Sequence, residues 1–372
     1  MSRPTRARID FRALRENLRM IRRRANGSRI WAVIKANAYG HGLIPVGRVL
    51  GEADGLAVSS LDEALALREA GIRQPILLLE GLFDRGEIQA AFQAKLEIVV
   101  HAEFGLALLE SIPLLWPRLW IKIDTGMNRL GFPAHAFPDV HGRIVRLSAT
   151  APGLMTHLAS ADRPHDPAVQ EQLSAFDRLT RGYPGPRSLA NSAAMVQYPE
   201  SHADWVRPGL LLFGVSPLPA SDAESTGWLP VMTFATAIMA VKQIRRGERV
   251  GYGGVYEAKR DGWIGIAAVG YGDGYPYHAP GGTPVWVSGR LYPLAGRVSM
   301  DMIAVDLGSE PVAIGAPVIL WGRELPVEIV ARHAGTIPYE LLCGVAQRVR
   351  HEWVDQAEDE TDHAETVDRL SL

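Results

Sequence analysis

Short apolar runs alternate with amphipathic stretches from residue 10 to about 214. The runs lie near 30–35, 55–59, 75–79, 96–100, 118–123, 151–157, 187–191 and 206–213. Each has the length and unbroken apolar character of a strand buried on both faces. Between them, 3.6-residue patterns predict helices near 41–50, 61–70, 84–94, 102–111, 134–146, 167–181 and 192–198. A helix over about 10–25 comes first, with Phe11, Leu14, Leu18 and Ile21 on one face and arginines on the other. Ser60-Leu61-Asp62-Glu63 reads as a capping box, and Gly71 is placed to end the helix it opens. Eight strands in strict alternation predict an α/β fold, an N-terminal (β/α)8 barrel of the TIM type. A doubly wound open sheet competes, but the Gly-rich dinucleotide turn after the first strand is missing.

The texture changes after a proline- and polar-rich linker at 216–228. Short strand-like segments follow, among them Met232–Val241, Trp263–Val269, Pro284–Val287 and Val318–Trp321, separated by Gly, Pro and Asp turns. They predict a C-terminal all-β domain. The expected division is therefore 1–227 for the barrel, 228–354 for the β-strand domain, and 355–372 as an acidic tail without apolar periodicity.

Composition narrows the function classes. With 39 Lys and Arg against 41 Asp and Glu, the chain lacks the basic excess of a nucleic-acid binder. One cysteine, Cys343, excludes a disulfide framework and a cysteine-rich metal site, and it suits a reducing compartment. No apolar segment approaches a bilayer span of about 20 residues, and Asp10, Arg12, Arg15 and Glu16 interrupt any secretory leader. The expectation is a cytoplasmic protein with neither a membrane nor a nucleic acid as partner, and no metal.

In such a barrel, chemistry gathers at the C-terminal ends of the strands. Lys35 follows the first strand, and Lys122, Asp124 and Arg129 lie at or after the fifth. His157 ends the sixth, Asn191 and Ser192 the seventh, and Arg207-Pro208-Gly209 lies within the eighth. A lysine at the end of a buried strand is a poor core residue but a usable amine nucleophile, since burial favours the neutral form that can make a Schiff base. Each residue alone has a plainer reading: Lys35 reaching solvent, His157 as a core histidine, Ser192 as a helix N-cap. Together they offer an amine, cations and a helix N-terminus, which suits a phosphorylated carbonyl cofactor, pyridoxal phosphate.

Several long motifs in order then make a specific resemblance. They are Val33–Gly42, Lys122–Gly131, Asn191-Ser192, Arg207-Pro208-Gly209, Tyr252-Gly253, Gly270–Tyr275, Gly296–Asp301 and Thr336–Glu340. From Arg8 to about Arg350 the chain resembles the bacterial alanine racemases. The resemblance implies a homodimeric enzyme that interconverts the alanine enantiomers with pyridoxal 5′-phosphate, for cell-wall synthesis or for catabolism. Lys35 would carry the cofactor and act as one base, and Tyr252 of a second subunit would act on the opposite face of the substrate. Tyr39, Ser192, Gly209, Leu210 and Tyr339 match the phosphate-binding set, His157 and Asn191 the residues lining the ring, and Arg207 the partner of the ring nitrogen. Arg129 and Met300 match the substrate-carboxylate site, Met300 through its backbone N–H. Tyr271, with Tyr339, would narrow the entrance. Lys122 matches a lysine that is carbamylated in many relatives.

Two positions depart from the family pattern: Gly251 stands where serine is common, and Tyr277 where arginine is. Three rivals share parts of the plan. A racemase of serine, lysine or a broader range keeps all of it. A decarboxylase would put a glutamate and a cysteine where Arg207 and Tyr252 stand. A non-catalytic cofactor carrier would end after the barrel.

Overall fold

The computed structural model describes residues 3–219 and 221–355, so the expected acidic tail lies, beyond Asp355, outside the described residues. Two compact units form.

The first, Arg15–Leu212 with residues 217–219, is a closed barrel of eight parallel strands. With the N-terminal strand of the other unit (Arg6–Asp10) as β1, the barrel strands are β2 (Arg29–Val33), β3 (Gly55–Val58), β4 (Ile76–Leu78) and β5 (Glu97–Val100), then β6 (Leu119–Lys122), β7 (Gly153–Met155), β8 (Arg187–Asn191) and β9 (Trp205–Arg207). Each run expected from the sequence overlaps its strand, but the last strand is much shorter than its run. Pro208 and Gly209 end β9 at Arg207, and Leu210–Phe213 forms a tight 3-10 turn instead of more strand.

Three indoles fill the inside of the barrel. Trp31 stacks on Trp205 at 4.3 Å, and Trp120 meets both edge-on at 6.1 and 6.3 Å. Since β2 and β6 lie on opposite sides of an eight-stranded ring, rings in contact across it must point inward. The two glycines beside them leave the necessary room. A Cβ on Gly55 would lie 2.2 Å from the Trp31 ring, and one on Gly153 would lie 2.2 Å from that of Trp120.

The second unit holds residues 3–14, Phe213–Ser216 and residues 221–355. Here the first strand departs from the expected division at residue 227. β1 pairs antiparallel with β10 (Met232–Ile244) and parallel with strand Arg350–Val354, so it is built into the β sheet and not the barrel. The pattern of apolar runs assigned no strand to residues 6–10, which here alternate between half-buried and buried as a strand does. The sheet has eight strands, with the long β10 also pairing to Pro317–Trp321 and Gly262–Ala267. The unit is β-rich rather than all-β, because two short helices, Val327–Ala334 and Pro338–Cys343, lie between its last strands.

Candidate active site

The end of β2 sets the first functional group. Backbone bonds from Val33 N to Pro208 O (2.9 Å) and Ile34 N to Ala57 O (2.9 Å) fix the strand end, and Lys35 begins the turn after it. That turn is left-handed: Ala36, Asn37, Ala38 and Tyr39 all have φ between 51° and 54°. Four successive side-chain-bearing residues in this region are costly, at about 1–2 kcal/mol each. The surroundings impose the conformation. Asn37 Oδ1 accepts from Leu43 N at 2.8 Å, Asn37 N donates to Glu63 Oε1 at 3.2 Å, and the buried His41 uses Nδ1 on the carbonyls of Ala38 and Tyr39. The outcome is a half-buried Lys35 and a buried Tyr39 held side by side on a turn with no regular continuation.

Tyr39 meets the other end of the barrel chain at Gly209. A Cβ at Gly209 would fall 2.4 Å from the Tyr39 hydroxyl, so only glycine leaves this cradle open. The Gly209 N–H donates to Ser192 Oγ at 2.9 Å. Ser192 is not the N-cap of the helix Ser192–Gln197; Asn191 is, accepting from Ala194 N at 3.0 Å, which leaves the serine hydroxyl to face Gly209. Leu210 is buried at the start of the tight turn.

Arg207, buried at the end of β9, donates from Nη1 to Ser188 Oγ (2.7 Å) and from Nη2 to the carbonyls of Thr156 (2.7 Å) and Leu189 (3.1 Å). None of these bonds uses Nε. Burial lowers its pKa to about 10, so it stays charged at neutral pH. His157 Nδ1 lies 3.4 Å from Arg207 Nη2, and its Nε2 lies 3.5 Å from Asn191 Nδ2. Burial, reinforced by Arg207, Lys122, Arg129 and Lys35, holds His157 well below the ordinary histidine pKa, so the ring is neutral.

Lys122 ends β6. Burial, then the charges of Arg207, Arg129 and Lys35, lower its pKa to about 8, with Asp124 opposing. The loop after it folds back through Phe132 N to Lys122 O and Asp124 N to Phe132 O, both 2.9 Å. Asp124 Oδ1 accepts from Gly126 N and Asn128 N, closing the turn that carries the exposed Arg129. Among the described residues, Lys35, Lys122 and Arg129 have no ion pair. One barrel end therefore gathers four cations, with Asp124 opposing them at Lys122, a donor set that calls for anionic ligands.

Sequence reasoning missed the residues that hold this set. Gln172 bridges Thr125 Oγ1 (3.3 Å) and the His157 carbonyl (3.0 Å), Ser188 seats Arg207, and Glu63 braces the Lys35 turn. Only Glu63 carried a signal, through the capping box; in fact Ser60 Oγ takes Glu63 N while the Glu63 carboxylate serves Ser59 and Asn37.

The β unit carries the remaining candidates. Tyr252 projects from a glycine-rich turn and is 72% exposed. Gly251 before it has φ 71° and ψ −168°, a conformation that accounts for glycine where the family pattern has serine. Tyr271 is exposed and meets Tyr277 edge-to-face at 5.7 Å, so an aromatic contact stands where an arginine was expected. Met300 and Tyr339 are exposed too, the latter on helix Pro338–Cys343. Among the described residues, no three His, Cys, Asp or Glu side chains are grouped to hold a metal, and no helix is long and apolar enough to cross a membrane.

Comparison with known proteins agrees with both units. The family model for the alanine racemase N-terminal domain matches residues 9–217, and that for the C-terminal domain matches 231–353. An alanine racemase from Nitrosococcus oceani is 50% identical over 346 residues, covering 92% of this chain and 97% of the relative. One from Shewanella sediminis is 47% identical over 348 residues, with the same coverages. Among solved structures, a biosynthetic alanine racemase from Pseudomonas aeruginosa superimposes with a TM-score of 0.92 at 41% identity, covering 95% of this chain and 99% of that one. With two family models spanning nearly the whole chain and relatives at this identity, the chain belongs to the alanine racemase family.

Proposed function

We propose that the chain interconverts L-alanine and D-alanine with pyridoxal 5′-phosphate, as a homodimer in which Tyr252 of one copy serves the barrel of the other. The observation that carries this reading is the cation cluster of Lys35, Lys122, Arg129 and Arg207 around a neutral His157. The residues fit the cofactor: the cradle left open at Gly209, beside the Tyr39 and Ser192 hydroxyls and Leu210, suits a phosphate. When bound, pyridoxal phosphate supplies the electron sink that makes the substrate Cα–H acidic.

The chain's own residues do the rest. Lys35 would hold the cofactor through Nζ, and its amine would accept or return a proton on one face of the substrate Cα. The Tyr252 hydroxyl does the same on the other face; one base alone would tend to return the proton to the side it left. Arg207 would donate Nε–H to the ring nitrogen and, as a cation without an acceptor, would leave that nitrogen unprotonated, making the ring a weaker electron sink less prone to side reactions. His157 and Asn191 line the ring. Arg129 and the Met300 N–H receive the substrate carboxylate, while Tyr271 and Tyr339 restrict the substrate to a small side chain. Lys122, once carbamylated, becomes an anion able to orient Arg129.

The homodimer reading is supported by the apolar and aromatic groups that the β unit exposes in a single chain, Tyr252, Val255, Met300 and Met302 among them. The single cysteine, which can close no disulfide within the chain, supports a cytoplasmic setting.

The deciding experiment follows solvent deuterium into Cα from each enantiomer, with wild type, Lys35→Ala and Tyr252→Phe. Wild type should wash in deuterium from both sides. Tyr252→Phe should lose racemisation by several orders of magnitude, and equal rates for it and wild type in both directions would defeat the two-base assignment. A strong preference of wild type for serine or lysine would support the broader-range reading instead.

A further inference from the structure

We propose that Asp273 is the positioning residue for the substrate-carboxylate donor of the β unit, acting through Arg348 and Arg3 on the backbone of residues 299–301. The proposal rests on the reading that the Met300 N–H receives that carboxylate.

Asp273 is buried, 1% exposed, yet it lies on a short turn and not in the apolar core of the sheet. Three donors converge on its carboxylate. Arg348 Nε reaches Oδ1 at 2.8 Å, Arg3 Nη2 reaches Oδ2 at 2.8 Å, and Gly270 N reaches Oδ2 at 3.0 Å. Both arginines then continue to the segment that carries Met300. Arg348 Nη2 binds Asp301 Oδ1 at 2.7 Å, and Arg3 Nη2 donates to the Asp301 carbonyl at 3.1 Å.

The result is that three successive carbonyls are held. Ser299 O accepts from Tyr271 N (3.0 Å), Met300 O from Gly272 N (2.9 Å), and Asp301 O from Arg3. The approach is close enough to require glycine at Gly270 and to crowd any side chain at Gly272. A Cβ on Gly270 would fall 2.1 Å from Ser299 O, and one on Gly272 would fall 2.8 Å from Arg348 Nη2. With its neighbouring carbonyls held by these bonds, the Met300 N–H donates to no group among the described residues. A backbone amide so fixed and unsatisfied is a preorganised donor for an anion. The same backbone bonds tie Tyr271 to Met300, so one buried carboxylate sets the placement of two groups assigned to the substrate side.

A rigid donor raises affinity for the carboxylate, while the proton transfers at Cα use other groups. Loss of the clamp should therefore appear in KM and leave kcat and cofactor affinity in place. The test uses the holoenzyme, with Asp273→Asn as the direct variant and Asp301→Asn as a milder one that keeps the buried charge. Propionate, a carboxylate without an amine, serves as the competitive probe. Asp273→Asn should raise KM for both alanine enantiomers and Ki for propionate about tenfold, the scale of one charge-assisted hydrogen bond. Asp301→Asn should raise both about threefold, with kcat and cofactor affinity within about twofold in each variant.

The proposal falls if both variants fold and keep wild-type KM and Ki, or if cofactor affinity drops in step with KM, which would mean general loosening. Met300→Pro, which removes the N–H, separates the two ways of failing. If it binds propionate like wild type, the carboxylate reading falls and the clamp with it. If it weakens propionate while the two aspartate variants do not, only the clamp falls.

Discussion

The carboxylate of Glu63 accepts a hydrogen bond from the backbone N–H of Asn37 at 3.2 Å, so the first turn of one barrel helix holds the left-handed turn after Lys35. The other oxygen of the same carboxylate takes Ser59 N at 3.1 Å. Glu63 thereby links the ends of β2 and β3 and fixes where Tyr39 stands.

Removing that link should loosen the phosphate side. Glu63→Ala is expected to cost about 1–2 kcal/mol of stability, through two unanswered backbone donors. Cofactor affinity should fall with it, while Glu63→Gln, which retains one acceptor oxygen, should lose less of both. Urea midpoints together with cofactor titration check this, and unchanged cofactor affinity in Glu63→Ala would remove Glu63 from the support of Tyr39.

Strain in the turn makes an exposed position sensitive. Ala36 is exposed with φ 54°, so Ala36→Val should destabilise by about 2 kcal/mol or more, because a β-branched side chain is strongly disfavoured there. Ala36→Gly should be neutral or stabilising, since relief of strain offsets the extra freedom of the unfolded chain. Thermal unfolding of the two variants distinguishes this from ordinary surface tolerance, under which both would resemble wild type.

Lys122 gives a pH signature. Its folded pKa, about 8, lies below the ordinary lysine value of 10.5, so between those limits the unfolded chain binds more protons and stability contributed by this group rises with pH. Below pH 8 the full penalty of the buried cation is present. Lys122→Met in the cofactor-free protein should therefore raise the melting temperature at pH 7 and flatten the rise above pH 8. At pH 7 about a tenth of the wild-type lysine is neutral and able to add CO2. Carbon-13 bicarbonate should then give a carbamate resonance that Lys122→Met lacks.

His157 acts in the acid range. Its folded pKa is depressed below 6.5, so the stability it contributes is fully present above pH 6.5 and is lost as pH falls below that value. Denaturant midpoints at pH 7 and pH 5 should differ less in His157→Asn than in wild type. An equal acid sensitivity in the two would place the buried titration elsewhere.

The barrel was legible because its strands are continuous apolar runs of fixed spacing, which survive any change in their neighbours. The chemistry-bearing residues were legible by position at strand ends, and by motif. What escaped depends on partners distant in sequence. Residues 6–10 alternate in burial only because strands some 230 and 340 positions away flank them, a pairing no local window contains. The end of β9 depended on Pro208 and Gly209 outweighing the apolar run Leu210–Phe213 that follows. Gln172 and Ser188 are ordinary polar residues whose value comes solely from the groups brought to them. The left-handed turn runs against local preference at three residues with short or aromatic side chains, and nothing in their identity announces it.

The three indoles inside the barrel bear on how such a sequence can drift. Trp31 and Trp120 each occupy the space where a side chain would stand at Gly55 or Gly153, so neither member of a pair can change alone without a clash or a void. Substitution at these four sites has to proceed as coupled steps, a smaller ring first and a larger neighbour second, through an intermediate of lower stability. The interior of the barrel thus ties its own divergence to paired changes, which single replacements cannot supply.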